Sequence, residues 1–137
     1  MRYPGMILPE LGLLVLAACM PVSVLAANHN VTVGGAAGNV FTPSTVSAQV
    51  GDTITFTNAG GFHNVASDDQ GQSWSFHCSD TCGSGGTPSA TAWVAVVNIT
   101  SSMPTSLGFH CDAHQALGMV GTINITVPVE LQSFDIE

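Results

Sequence analysis

Apolar and polar residues alternate along much of the chain, with the period of two that is typical of half-buried β-strands. In STVSAQV the apolar positions are Val46, Ala48 and Val50, and in TITFTN they are Ile54 and Phe56. Two further segments, WVAVVNIT and TINITV, are rich in β-branched residues, which favour strands. Because no segment has the spacing of a long amphipathic helix, the pattern predicts an all-β protein.

The segments between these predicted strands favour turns. VGGAAGN, NAGG and GSGGTPSA consist largely of Gly, Ser, Asn, Pro and other small residues. Several short strands separated by such turns, in a chain of this size, favour a β-sandwich or barrel. We see no internal repeat and no linker. We therefore predict one domain at residues 27–128 and a short acidic tail, poorly ordered, at residues 129–137.

The first 26 residues have the features of a secretory signal peptide. Arg2 provides a basic start, residues 11–18 form an apolar core, and Pro21 then breaks any helix. The apolar run is too short for a transmembrane span, and the small residues favour cleavage near Ala26 or Ala27. The motif LAAC also resembles a lipoprotein signal, which would leave Cys19 lipidated. In both cases we expect a periplasmic or extracellular protein.

The charge of the chain is strongly one-sided. Arg2 is its only Lys or Arg, so the predicted domain and tail contain neither residue. Their acidic residues therefore have no such counterpart: Asp52, Asp68, Asp69, Asp80, Asp112, Glu130, Asp135 and Glu137. This surface repels phosphate backbones and anionic lipid headgroups, which excludes nucleic acid as a partner. A protein partner would present a basic or neutral face, unless the charge serves solubility alone.

The segment GFHCDAHQALGMVG contains three soft donors, namely Cys111, His114 and Met119. A thiol, an imidazole and a thioether that fold onto one point form most of a copper site. A Cys–His pair at this spacing is by itself common in proteins without a metal. Met119 and a second imidazole, His63 in TNAGGFHNVAS, make copper the stronger hypothesis. Zinc is a chemical alternative for the Cys and His donors.

The segments GGFHNV and FHCDAHQALGMVGTI resemble the cupredoxins, the blue type 1 copper proteins, and most closely their plastocyanin-like branch. The resemblance extends from about residue 31 to residue 127. It implies a Greek-key β-sandwich of about eight strands that holds one copper ion. It also implies that His63, Cys111 and His114 form a trigonal plane and that Met119 is a weak axial ligand. Asn64 would hydrogen-bond near the ligand loop and lock the two ligand segments together.

Two further groups have alternative interpretations. His110 precedes Cys111, and strand alternation turns it away from the metal, so we favour a surface or packing role. A second copper there would need more histidines, and only His29 and His77 remain. In an oxidising compartment, Cys78 and Cys82 most simply form a disulfide, and the alternative is a second metal site with His77.

The sequence thus predicts an exported electron carrier rather than an enzyme, with no catalytic residues. It would be a monomer that passes single electrons between redox proteins as copper cycles between Cu(II) and Cu(I). The uncharged segment QALG, residues 115–118, would leave His114 reachable through an apolar patch. An enzyme with a catalytic copper and a copper-delivery protein are the alternative hypotheses. The first lacks histidines and an open coordination position, and the second lacks exposed Met and His clusters.

Overall fold

The computed structural model describes residues 25–128. Most of the predicted signal peptide, Cys19 and the predicted tail at residues 129–137 lie outside the described residues. The strands are β1 Asn28–Gly34, β2 Phe41–Thr42, β3 Thr45–Gln49, β4 Thr53–Gly60, β5 Ala66–Ser67, β6 Val94–Asn98, β7 Ser106–His110 and β8 Val120–Thr126. Short 3-10 segments lie at Gly35–Ala37, Ser79–Thr81, Ser84–Gly86 and Gln115–Leu117.

The strands form two sheets of four strands each, in the orders β2-β1-β4-β6 and β3-β8-β7-β5. Strand β1 pairs in parallel with β4, and β3 pairs in parallel with β8, whereas the other neighbours are antiparallel. The predicted all-β sandwich of about eight strands is therefore confirmed. Between residues 25 and 128, no helix is long and apolar enough to cross a membrane.

The alternation seen in the sequence separates the two faces of each sheet. In β3, Val46 and Ala48 are buried, while the polar residues on either side are exposed. In β6, Ala95 and Val97 are buried, while Val94, Val96 and Asn98 are exposed. Aromatic side chains fill the centre between the sheets, where the rings of Phe41 and Phe109 have centroids 4.9 Å apart in an edge-on arrangement. Phe109 belongs to the strand that leads directly to Cys111, so this packing anchors the start of the candidate site.

The predicted disulfide is present and joins Cys78 to Cys82, with their Cα atoms 5.7 Å apart. It closes a small loop in the Gly- and Ser-rich segment between β5 and β6. Because both sulfur atoms are used in this bond, they do not offer thiolates to a metal. The Nδ1 atom of His77 accepts a hydrogen bond from the backbone N–H of Ser79 at 2.9 Å. The alternative of a second metal site made of these three residues does not fit these contacts.

Candidate metal centre

Three of the predicted donors meet at one end of the sandwich. The Sγ atom of Cys111 lies 3.8 Å from Nδ1 of His63 and 3.6 Å from Nδ1 of His114. The ligand atoms of these residues are all within 4.8 Å of one another. Within residues 25–128 this is the only such cluster of His, Cys, Asp or Glu. Two imidazoles and a thiol thus face a common point, as a metal ion would require.

The turn that connects β7 to β8 supplies Cys111, His114 and Met119. Cys111 follows the last residue of β7, and Met119 precedes the first residue of β8. The backbone N–H of Cys111 donates to the carbonyl oxygen of Met119 at 3.2 Å, and that of Met119 donates to the carbonyl of His114 at 3.1 Å. These bonds close the turn on itself. The segment from Cys111 to Met119 therefore forms the whole turn between the paired strands β7 and β8.

Met119 itself is fully buried, with none of its surface exposed. Gly118, with φ +89°, ends the 3-10 segment before it in the left-handed region, which glycine adopts without strain. The chain can therefore reverse and direct the following residue inwards. Met119 contacts solvent nowhere, whereas Leu117 in the same turn is 73% exposed.

His63 comes from a distant part of the chain and is held through its backbone. Its N–H donates to the carbonyl oxygen of Ser89 at 3.1 Å, and the N–H of Ser89 donates to the carbonyl of His63 at 3.0 Å. The same carbonyl accepts a bond from Nε1 of Trp93 at 3.1 Å. Three hydrogen bonds thus hold His63 against the segment that leads into β6, independently of the turn that carries the other donors.

Two glycines surround the ring of His63. A Cβ atom at Gly34 or at Gly61 would overlap Nε2 of that ring. Their φ angles are +67° and +102°, which are favourable only for glycine. The backbone therefore packs against the Nε2 side of His63, and the Nδ1 side is the one that faces Cys111. Sequence reasoning did not single out these glycines for this role.

Burial and charge favour the neutral form of His63. The residue is only 2% exposed. Its pKa is lowered, first because burial penalises the imidazolium and second because His114 lies nearby. A neutral imidazole keeps a free lone pair on one nitrogen, as a metal ligand must. Cys111 is a free cysteine and is completely buried.

Asn64 connects the two segments that carry the donors. Its Nδ2 atom donates to the carboxylate of Asp112 and to the carbonyl oxygen of Gly86, the latter at 2.9 Å. Its Oδ1 atom accepts a bond from the backbone N–H of Asp112 at 2.8 Å. Because Asp112 follows Cys111 and Asn64 follows His63, one buried amide joins both donor segments to the disulfide-containing loop.

His110 lies inside a small hydrogen-bonded cluster that the sequence did not reveal. Its Nδ1 atom is 2.6 Å from the Asp68 carboxylate, and its Nε2 atom is 3.1 Å from the Asp112 carboxylate. Its side chain is 11% exposed, compared with 47% for Asp68 and 53% for Asp112. The remaining histidines do not join it, since His29 pairs with Asp52 and His77 is exposed. The contacts fit the packing role expected for His110 rather than a second copper site.

A comparison with known families agrees with this geometry. Residues 27–126 match the family model described as copper binding proteins, plastocyanin/azurin family. The chloroplastic plastocyanin of Hordeum vulgare is 33% identical over 94 residues, which are 63% of this chain and 54% of that protein. The chain therefore spans about half the length of this relative.

Solved structures share the fold. The pseudoazurin of Methylobacterium extorquens AM1 has a TM-score of 0.51 and 24% identity, over 72% of this chain and 74% of that one. A copper-containing nitrite reductase from Thermus scotoductus SA-01 has a TM-score of 0.53 and 21% identity, over 83% of this chain and 25% of that one. At these identities the likeness concerns the fold alone.

Proposed function

Because the chain belongs to the copper-binding plastocyanin/azurin family, we propose that it is a one-electron carrier with a single type 1 copper site. His63, Cys111 and His114 provide the strong ligands, and Met119 provides a weak axial one. The observation that carries this proposal is the meeting of the three donor atoms within 4.8 Å of one another in the buried end of the sandwich.

The chemistry of the donors fits copper. A thiolate and a thioether are soft ligands that suit Cu(I), whereas imidazole nitrogens also suit Cu(II). Copper bound by this set supplies a one-electron couple. The burial of Cys111 and Met119, both 0% exposed, keeps water away from the sulfur donors.

The contacts around the donors support a rigid site. Three hydrogen bonds hold the backbone of His63, the turn between β7 and β8 is closed by its own backbone, and Asn64 ties the two segments together. Ligands held in this way would move little when a bound copper ion changes its oxidation state. Little movement means a small reorganisation cost, which is the property that an electron carrier needs.

An electron carrier accounts for the site better than an enzyme does. With Met119 as the axial ligand, the proposed set of four donors leaves no coordination position free for a substrate. The part of the chain that the structure describes offers no second cluster of donors for a catalytic metal. The likeness to a nitrite reductase extends to the fold and carries no activity to this chain.

The exposed side chains beside the donors favour an apolar electron port at His114. Leu117 is 73% exposed and Phe62, which precedes His63, is 55% exposed. His114 is itself partly exposed, whereas His63 is buried. A redox protein with a neutral or basic docking face would fit this apolar patch and the carboxylates of Asp68 and Asp112 near Cys111.

The protein carries out this function outside the cytoplasm as a monomer. The sequence of residues 1–26 supports export into the periplasm or beyond. The alternative to cleavage near Ala26 or Ala27 is lipidation of Cys19, which would anchor the exported protein to a membrane. The working unit is then the domain at residues 27–128, with the acidic tail at 129–137.

One absorption spectrum tests the proposal. The protein loaded with Cu(II) should be intensely coloured through charge transfer from the Cys111 thiolate, dithionite should bleach the colour, and ferricyanide should restore it. A protein that binds zinc tightly but forms no coloured copper complex would overturn the proposal in favour of a zinc site. A colour that does not respond to reductant would overturn the carrier function.

A further inference from the structure

Asp52 lies immediately before β4 and is the only described carboxylate that is buried, with 5% of its surface exposed. Its Oδ1 atom accepts a bond from the backbone N–H of Ala27 at 2.8 Å. Its Oδ2 atom accepts one from the N–H of Gln49 at 2.9 Å and lies 2.9 Å from Nε2 of His29. Burial alone would raise the pKa of Asp52, but these donors together hold it below its ordinary value.

Among the described residues, Ala27 is the first whose backbone forms hydrogen bonds with the strands. Its N–H donates to Asp52, and its carbonyl oxygen accepts a bond from the N–H of Thr53 at 2.9 Å. The two residues before it are exposed, and Leu25 has 86% of its surface in solvent. Among the described residues, removing Leu25 and Ala26 would therefore cost the sandwich little packing.

A cleavage before Ala27 would also change which positive charges the chain carries. Arg2 and Tyr3 are the only Arg and Tyr in the chain, and Lys is absent. A chain that begins at Ala27 would therefore carry one cation besides its histidines, namely its own α-ammonium group. In the folded domain, that nitrogen atom already lies beside the buried carboxylate of Asp52.

We infer that the protein is processed between Ala26 and Ala27, and that the new α-ammonium group of Ala27 forms an ion pair with Asp52. Hydrolysis by a signal peptidase adds one water molecule across the amide bond, which leaves a carboxylate on Ala26 and an ammonium on Ala27. This inference rests on the export proposed above, but not on copper binding. The ammonium replaces a neutral N–H donor with a charged one, and charge-assisted hydrogen bonds are the stronger kind.

Because of the ion pair, the free energy of unfolding should fall as the pH rises into the alkaline range. An amine paired with a carboxylate has a raised pKa in the folded state, so the stabilisation is complete below the ordinary amine pKa of about 7.7–8.0. It is lost as the pH rises through the folded value. The titratable groups that face the amine from the described elements are Asp52 and His29. No Lys or Tyr side chain of the processed chain titrates in this range.

The first experiment determines where the exported protein begins. The full chain is expressed with its leader in a host that exports it, and the intact mass and N-terminal sequence of the product are measured. We expect Ala27 as the first residue. A lipidated Cys19, an uncleaved leader or any other first residue would overturn the inference, whether or not the protein binds copper.

The second experiment tests the ion pair through the only primary amine of the processed chain. One sample is acetylated, which removes the charge, and a matched sample is reductively dimethylated, which keeps the charge and an N–H donor. We expect the methylated protein to lose stability to urea as the pH rises from about 7 to about 10, with a midpoint above the ordinary amine pKa. The acetylated protein should lack this loss. Because the two samples differ only at this amine, the comparison isolates its contribution.

Variants assign the effect to Asp52. In Asp52→Asn the difference between the two derivatives should disappear, and in the control Asp69→Asn, at an exposed position, it should remain. If acetylated and methylated wild-type proteins respond alike to pH, there is no ion pair and the inference is wrong. If the difference persists in Asp52→Asn, the amine pairs elsewhere and the inference is also wrong. A colourless protein that passes these tests would overturn the proposed function alone.

Discussion

The side chain of Asn64 forms paired hydrogen bonds with Asp112, accepting from its backbone N–H at 2.8 Å and donating to its carboxylate. The two residues are 48 positions apart, and each directly follows a donor of the candidate metal centre. Asp112 also contacts His110, whose other ring nitrogen contacts Asp68. The geometry of the donors is therefore supported by a polar network beside the site.

Replacing Asn64 with Ala should weaken both the fold and the site. The change leaves the buried carbonyl of Gly86 without this partner, which costs about 1–3 kcal/mol of unfolding free energy, and it removes the acceptor of the Asp112 N–H. Urea unfolding of the apo-protein measures this loss, and copper titration should show weaker binding. Asn98→Ala is the control, since Asn98 is exposed on β6 and should change stability by less than about 0.5 kcal/mol. Equal effects of both changes would contradict the linking role of Asn64.

Cys111→Ser should abolish the visible colour while leaving a folded β-protein. Only a thiolate supplies the charge-transfer band, whereas the core between the sheets does not depend on the metal. Visible absorption and far-ultraviolet circular dichroism of the copper-loaded variant measure the two properties. A variant that stays intensely coloured would show that Cys111 is not a ligand.

Gly61→Ala should displace the ring of His63. A Cβ at this position meets Nε2 of that ring, and Gly51 provides a matched control because its φ angle is also +102° while a Cβ there has no atom within 4 Å. Both variants carry the backbone cost of a left-handed residue, about 1–2 kcal/mol. Only Gly61→Ala should also lower copper affinity and shift the absorption band. Identical spectra for the two variants would mean that the glycine does not orient His63.

Replacing Met119 should tune the reduction potential rather than remove copper. Gln would offer a harder oxygen donor, which stabilises Cu(II) and lowers the potential, whereas Leu would remove the donor and keep the site dry, so that the potential rises. Voltammetry of both coloured variants measures the sign. If neither change moved the potential, Met119 would not be the axial ligand. Met103, the other Met after residue 26, would then need consideration.

Electron transfer to a basic partner protein should slow as the salt concentration rises. No Lys or Arg after Arg2 offsets the acidic surface, and the range of its attraction falls to about 10 Å at 0.1 M salt. Stopped-flow rates at low and high ionic strength measure the effect, with a neutral partner as the control. Rates that do not depend on salt for either partner would mean that the apolar patch around His114 alone governs docking.

Local features of the sequence determined the sheets and the makeup of the donor turn. The alternation at Val46 and Ala48 predicts a buried face because successive side chains of a strand point in opposite directions. The distance along the chain from Cys111 to Met119 suits a short turn between paired strands, and the resemblance of that segment to cupredoxins indicated copper. The close pair of Cys78 and Cys82 likewise predicted the disulfide that the structure contains.

Only the tertiary structure decided which distant residues meet. A period of two identifies the face of a strand but neither its neighbours nor its register, so it could not pair His110 with Asp68 or Ala27 with Asp52. The overlap of Gly61 with the ring of His63 likewise depends on how the chain bends after β4. These contacts arise from the parallel pairing of β1 with β4 and from the loops at the ends of the sandwich, where separations of 25 to 42 residues are bridged. The local preferences of the chain are compatible with many pairings of the strands and loops, and the packing of the whole core selects one of them.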